Sequence, residues 1–307
     1  MKSLAMLTRR EFWEHRNTFV VLPALIVAVL FTVMLLGIAY TPPSVNFSVS
    51  SNVQSNIPSY PNQQQYEYQS DPAGTWATLI VTELQAADSE TRSQYLSIGL
   101  RAIERTLSTI LYLVTLSFLL NCLLTDRRDR SILFWKSMPV SDQATVLVKL
   151  FTAVIAVPLV YFAGILTLQV SWLMLLSLGT TGTELSAWET VWAPAQVMSH
   201  WLDYLALVLI NTLWCLPLWG WLLVISAYAK SVQLIWALGG PIAVVFVEKL
   251  VSDQGHVQDW IIQHCTPITR LVDLSDPLFS INMLSALIAG AAMVGLAIFL
   301  RSRADEL

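Results

Sequence analysis

The sequence predicts an all-α integral membrane protein. It has six transmembrane helices, both termini inside, an N-terminal interfacial helix and a sizeable extracytoplasmic segment between spans one and two. Three observations carry that prediction. Of 307 residues, 55% are apolar and 12% charged, against roughly 45–50% and about 25% in a soluble domain. That is too little charge to wet a globule of this size, which excludes a disordered chain and argues against a soluble enzyme. Six runs approach the roughly 20 apolar residues that cross a bilayer, and no Asp, Glu or Arg falls within them, with Lys149 at the edge of one. The chain also carries 12 Trp, a residue favoured at the bilayer interface, and its mean hydropathy is +0.59.

Residues 1–18 set Leu4, Leu7 and Phe12 among Lys2, Arg9, Arg10 and Arg16, an amphipathic pattern that predicts a cytoplasmic interfacial helix. The first span, 19–40, is longer than the usual 7–15 apolar residues of a signal peptide and reads as an uncleaved anchor. Residues 41–106 lie outside. Their first half is rich in Ser, Asn, Gln, Pro and Tyr, as in Gln63-Gln64-Gln65-Tyr66, and reads as an extended loop. From Trp76 to Glu104, Leu79, Ile80, Leu84, Tyr95, Leu96 and Leu100 recur among polar residues. One or two outer helices are expected there, the last running into span two at 107–124.

A cytoplasmic loop, 125–148, precedes span three at 149–178. An outer loop, 179–203, leads to span four at 204–229. Span five, 231–247, rises only roughly 25 Å and carries Gly239-Gly240-Pro241 mid-run. Proline removes a helical hydrogen bond, so a kink or break is expected there. The outer segment 248–280 places Val257, Trp260 and Ile261 at helical spacing and predicts a short interfacial helix. Span six is 281–300, followed by a cytoplasmic tail, 301–307.

Lys and Arg set the orientation. With the N-terminus inside, twelve of them fall in inner segments and five in outer ones. The inner segments then sum to +5 and the outer to −9, so the net charge of −4 conceals a separation across the membrane. The expected location is the cytoplasmic (inner) membrane, multi-pass.

Several chemistries are missing from the sequence. It has no G-x-x-x-x-G-K-[ST] loop, no G-x-G-x-x-G, no H-E-x-x-H and no G-x-S-x-G, so nucleotide binding and hydrolysis by those routes are excluded. Cys122, Cys215 and Cys265 form no C-x-x-C pair and read as small packing residues. His256, His264 and Cys265 lie outside in a spacing that fits no standard metal set. No catalytic set converges, and no metal or cofactor is expected in this chain. Ion-coupled carriers keep an ionisable residue at membrane depth. Here Lys149, Asp203, Glu248 and Glu104 sit at span ends and read as interfacial residues reaching water. The chain therefore lacks an energy source of its own.

The inner loop is the most distinctive segment. Asp126-Arg127-Arg128-Asp129-Arg130-Ser131 opens it, Ile132-Leu133-Phe134-Trp135-Lys136-Ser137-Met138 follows, and Pro139-Val140-Ser141-Asp142 closes it. Residues 131–138 can form about two helical turns, which expose Ile132, Leu133, Phe134, Trp135 and Met138 to the cytoplasm. Exposed apolar residues there call for a partner; lying in the lipid headgroups is the other reading. Arg127, Arg128 and Arg130 are free to pair with acidic groups on a partner or with lipid phosphate.

That loop, the opening Leu7-Thr8-Arg9-Arg10-Glu11-Phe12-Trp13-Glu14-His15-Arg16 and the six-span layout together resemble the permease subunit of a type-two ABC exporter. The resemblance implies that residues 1–18 are a connecting helix. It also implies a coupling helix in the 125–142 loop that docks in a groove of a separate cytoplasmic ATPase, with Asp129, Arg130, Ile132, Leu133, Phe134, Trp135, Lys136 and Met138 at the contact. Two ATPases, carrying ATP and Mg, and two permeases (a homodimer or a related pair) complete the implied transporter; no nucleic acid takes part. Asn121, Asn211, Gly239, Gly240 and Pro241 either line a translocation path or pack helices. Charge-free apolar spans suit an amphipathic, lipid-like or peptide cargo, and the resemblance implies that it is exported. The competing reading is an ATP-independent membrane anchor or signalling partner that acts through residues 41–106.

Overall fold

The computed structural model describes residues 2–40, 80–81, 83–84, 87–128, 141–181, 186–229, 232–251, 255–269 and 280–303. Among these residues the chain is helical and holds no strand. The helices are α1 (Lys2–Glu14), α2 (Leu22–Tyr40), α3 (Ser89–Arg128), α4 (Asp142–Phe151), α5 (Val157–Leu178), α6 (Val197–Trp214), α7 (Leu216–Tyr228), α8 (Gln233–Val251), α9 (His256–Cys265) and α10 (Ile281–Ser302). Among the described residues, five helical stretches are long and apolar enough to cross a membrane: Asn17–Leu36, Ser89–Arg128, Asp142–Leu178, Gln233–Val251 and Ile281–Ser302. A bent pair, Trp188–Trp214 with Leu216–Tyr228, makes a sixth if it is taken as one span. Their number and apolarity are those of a multi-pass membrane protein.

The chain divides into two compact units. The first joins Met1–Ile26, Arg101–Leu166 and Val197–Leu307, and the second joins Val27–Leu100 and Thr167–Gln196. Within the second, Gln169 is buried and its Nε2 donates to Leu100 O at 3.1 Å. Gly99 leaves room there for the indole of Trp172, which a Cβ would strike. Trp192 Nε1 donates to Ser177 Oγ at 3.0 Å.

At 40 residues, α3 rises about 60 Å, roughly twice the hydrocarbon thickness. It joins the amphipathic stretch before residue 107 to the apolar run after it without a break, as the periodicity predicts. The short helix expected around Val257, Trp260 and Ile261 is α9.

Among the described residues, five prolines fall within helical stretches, and the sequence expectation of a break attaches to Pro241 alone. A helical proline lacks the N–H that would reach the carbonyl four residues back, and its ring crowds that carbonyl. Pro23, Pro158 and Pro194 each follow a π-helical turn by two residues: Asn17–Val21, Thr152–Ala156 and Trp188–Trp192. In each case the residue before the proline donates its N–H five residues back, from Leu22 to Asn17, Val157 to Thr152 and Ala193 to Trp188. The wider turn moves the crowded carbonyl away from the ring, which accounts for all three.

The remaining two prolines invert the expectation. Span four, read as one run, breaks at Cys215, two residues before Pro217, and its two helices meet at 56°. Span five, where a kink or break was expected, runs through Gly239-Gly240-Pro241 as one helix, α8. The reason is a substitute donor. Pro241 leaves the carbonyl of Ala237 without its helical partner, and Trp221 Nε1 on α7 donates to that oxygen at 3.0 Å. Gly240 makes the approach possible, because a Cβ there would strike the same indole.

Helices α7 and α10 pack along one another at two glycines. A Cβ on Gly290 would lie 2.8 Å from the Leu216 backbone, and one on Gly220 2.8 Å from Met293 Cβ. Small residues of this kind let membrane helices approach closely. Gly295, on the same helix, has nothing within 4 Å of its Cβ position.

Two outcomes follow for the melting temperature of the detergent-purified chain. Trp221→Phe strands the Ala237 oxygen and costs about 1–2 kcal/mol. In a Pro241→Ala background, which restores the helical N–H, the cost shrinks; an unchanged cost would refute the substitute-donor account. Gly290→Val overpacks the α7–α10 contact and costs about 1–3 kcal/mol, whereas Gly295→Val leaves melting unchanged.

Candidate functional site

Five charged residues from distant parts of the sequence come together within the first unit. Lys149, on the last turn of α4, is 2% exposed. Its Nζ lies 2.9 Å from Glu11 Oε2 on α1 and 3.3 Å from Asp126 Oδ1 on α3. The second oxygen of Asp126 takes Arg301 Nη1 of α10 at 2.8 Å. Arg301 Nε in turn lies 3.2 Å from Asp142 Oδ1, at the start of α4. Five alternating charges thus run Glu11, Lys149, Asp126, Arg301, Asp142 through four helices. The network is buried at every member except Asp142, whose side chain is 28% exposed.

Local sequence places each group. Glu11 follows Leu7 by four residues, so α1 turns the two toward the same side. Asp126 comes one turn after Cys122 and Leu123, both buried. Asp142 and Lys149 are two turns apart on α4 and share a face. Ser141 Oγ caps α4 by accepting from Ala144 N at 3.2 Å. Beneath the network lies an aromatic group: Phe118 meets Phe19 edge-on at 5.0 Å and His15 at 5.1 Å. Burial pushes His15 below the usual imidazole range, and Glu11 pulls the other way.

Lys149 is therefore not an interfacial lysine reaching water. Isolated burial of its charge would cost several kcal/mol, and two carboxylates answer it. Glu248 is also occupied. Its two oxygens accept from Val257 N at 2.6 Å and Gln258 N at 3.0 Å, capping the first turn of α9, where a carboxylate complements the helix dipole. Glu104 and Asp203 are half-buried. Arg127, read as free for a partner or lipid, donates instead from Nη2 to the carbonyls of Ser226 at 2.8 Å and Ala229 at 2.7 Å, at the end of α7.

Asp129, Arg130, Ile132, Leu133, Phe134, Trp135, Lys136 and Met138 lie outside the described residues. Asn121 is exposed, its Nδ2 donates to Ser117 O at 2.8 Å, and it lines a shallow recess with His15, Thr18, Phe118 and Thr125. Asn211 instead binds the segment after α9 in both directions. Its Nδ2 donates to Ile268 O at 2.9 Å and its Oδ1 accepts from Ile268 N at 2.7 Å. Gly240 and Pro241 serve the Trp221 contact, and Gly239 has open space at its Cβ position.

Cys122 and Cys215 are buried free thiols, and Cys265 is a half-buried one. His264 is sandwiched between Trp214 and Trp260, at centroid distances of 4.6 and 4.5 Å. Its Nε2 lies 3.2 Å from Asn282 O. No group of three or more His, Cys, Asp or Glu among the described residues is arranged to hold a metal.

The five-charge network is what reading the sequence in order misses. A partial signal was present: three acidic and two basic residues, Glu11, Asp126, Asp142, Lys149 and Arg301, in or bordering segments that the Lys and Arg count assigns to one side. None of the five lies at the centre of a span, where an ionisable residue marks itself out. Comparison with protein-family models, curated proteins and solved structures gives no match.

Removing one partner of a buried ion pair leaves the other charge uncompensated and costs about 3–5 kcal/mol. Lys149→Met therefore lowers the melting temperature sharply. Glu11→Gln added to it restores part of the loss, because the stranded carboxylate is gone. Two additive losses in this cycle would show that Glu11 and Lys149 do not act as a pair.

Proposed function

We propose that this chain is the membrane-spanning permease subunit of an ABC-type exporter. It moves an amphipathic, lipid-like or peptide cargo on ATP hydrolysed by a separate subunit. The ATPase docks on the 125–142 loop, with Phe134 and Trp135 as buried anchors, and a second permease completes the path. The observation that carries the reading is the mounting of that loop. Its entry at Asp126 and its exit at Asp142 are both ion-paired to Arg301, and Lys149 ties Asp126 to the N-terminal helix. A segment that only lay among headgroups would need no such anchorage. The sequence supports the same reading through its apolar loop centre and its lack of a nucleotide motif.

Side-chain contacts support a division of roles among the span residues. We assign Asn121 to the cargo path, since its carboxamide is exposed within the apolar run 107–124 and borders a recess lined by His15, Thr18, Ser117 and Thr125. Asn211, Gly240 and Pro241 go to packing, because their bonds and contacts are internal. In this mechanism closure of the two ATPases pushes the docked loop, and the anchored stems turn that push into tilting of α3 and α5.

The direct test is co-purification with the ATP-binding subunit encoded beside this chain. Phe134→Asp with Trp135→Asp lowers the retained ATPase about tenfold or more, the effect of losing about 1.4 kcal/mol or more at an interface, with unchanged yield of folded permease. Full retention by that double variant would rule out the docking role.

A further inference from the structure

Arg301 belongs to the last helix, 175 residues from Asp126 in sequence and 159 from Asp142. It nevertheless holds both stems of the 129–140 loop. One N–H group takes the entry stem at 2.8 Å and another takes the exit stem at 3.2 Å. A guanidinium presents several donors in a fixed plane, so it can engage two carboxylates at once and fix the distance between them, which a single ammonium does poorly. The side chain is 3% exposed, so water does not compete for these contacts. Lys149 makes a second link between the stems, from the exit helix to Asp126, and carries the connection on to Glu11 of α1.

We propose that Arg301 is a positioning residue for energy coupling: it staples the two stems of the loop to each other and to the last helix. A push on the loop then moves α3, α4, α10 and α1 together instead of splaying the stems. The inference rests on the permease reading above and adds to it the element that transmits the stroke. The alternative is that Arg301 only stabilises the fold. The two differ in one respect. A stabilising residue alters how much complex survives, whereas a coupling residue alters what each surviving complex does.

The test uses the permease purified with its ATPase in lipid nanodiscs. For each variant it measures ATPase retained, melting temperature, and ATP turnover per complex relative to the ATPase alone. Arg301→Gln keeps the ATPase bound, yet the permease's effect on turnover falls about fivefold or more, the low end of ordinary coupling between sites. Arg301→Lys recovers part of it. Asp142→Asn, at the partly exposed end of the network, gives the same defect in a milder background and serves if Arg301→Gln does not fold. Wild-type turnover per complex in both variants would overturn the proposal, as would a loss no greater than the loss of bound ATPase. If the wild-type chain retains no ATP-hydrolysing subunit, the permease reading and the coupling role fail together. The staple itself is then decided on the chain alone: melting losses of Arg301→Gln and Asp142→Asn that fail to add support it, and additive losses overturn it.

Discussion

A charge or backbone group that this chain carries into an apolar interior is best answered from within the chain. With 12% charged residues and helices built to lie in lipid, water is not there to do it. The backbone feels this first. Five prolines in the described helical stretches constrain the backbone around them, and the structure responds with three π-helical turns, one break and one indole donor. The same requirement explains Asn211, whose carboxamide behaves like a strand of backbone toward Ile268. It also explains Arg127, whose guanidinium closes the end of α7.

The charge network is the strictest case. Buried ion pairs are weak evidence for stability, because desolvation can exceed the attraction between the partners. Five charges retained in such a place are better understood through what they connect. Glu11 comes from α1, Asp126 from the end of α3, Asp142 and Lys149 from α4, and Arg301 from α10. An apolar cluster of equal volume could pack as well, but it would tolerate sliding. Directed ion pairs at 2.8–3.3 Å fix which group faces which, and that is the property a mechanical junction needs. The aromatic group of Phe19, Phe118 and His15 beneath it supplies the apolar floor.

Much of this was legible in residue order. Apolar runs and Trp content pointed to a multi-pass helical protein, since segment composition is a local property that lipid reads directly. The amphipathic stretch from residue 89 and the Val257, Trp260, Ile261 spacing foretold α3 and α9. The fate of each proline was not legible. Gly239-Gly240-Pro241 has every local mark of a break and Pro217 has fewer, yet the helix continues at the first and breaks at the second. Trp221 decides the matter, and it reaches Ala237 only once α7 and α8 are side by side. The span-edge charges failed for the same reason, because Lys149 looks solvated until α1, α3 and α10 close around it.

The sequence by itself determined the class of protein, the segments that suit a membrane and the absence of a nucleotide motif. Those follow from composition, run length and motif, which need no contacts. Only the tertiary structure decided that Glu11, Lys149, Asp126, Arg301 and Asp142 form one chain of ion pairs. It also decided that Asn211 is occupied and Asn121 exposed. Such outcomes depend on which helices meet and on how deeply each charge is taken from water, quantities that arise from pairs of distant segments and are written in neither one alone.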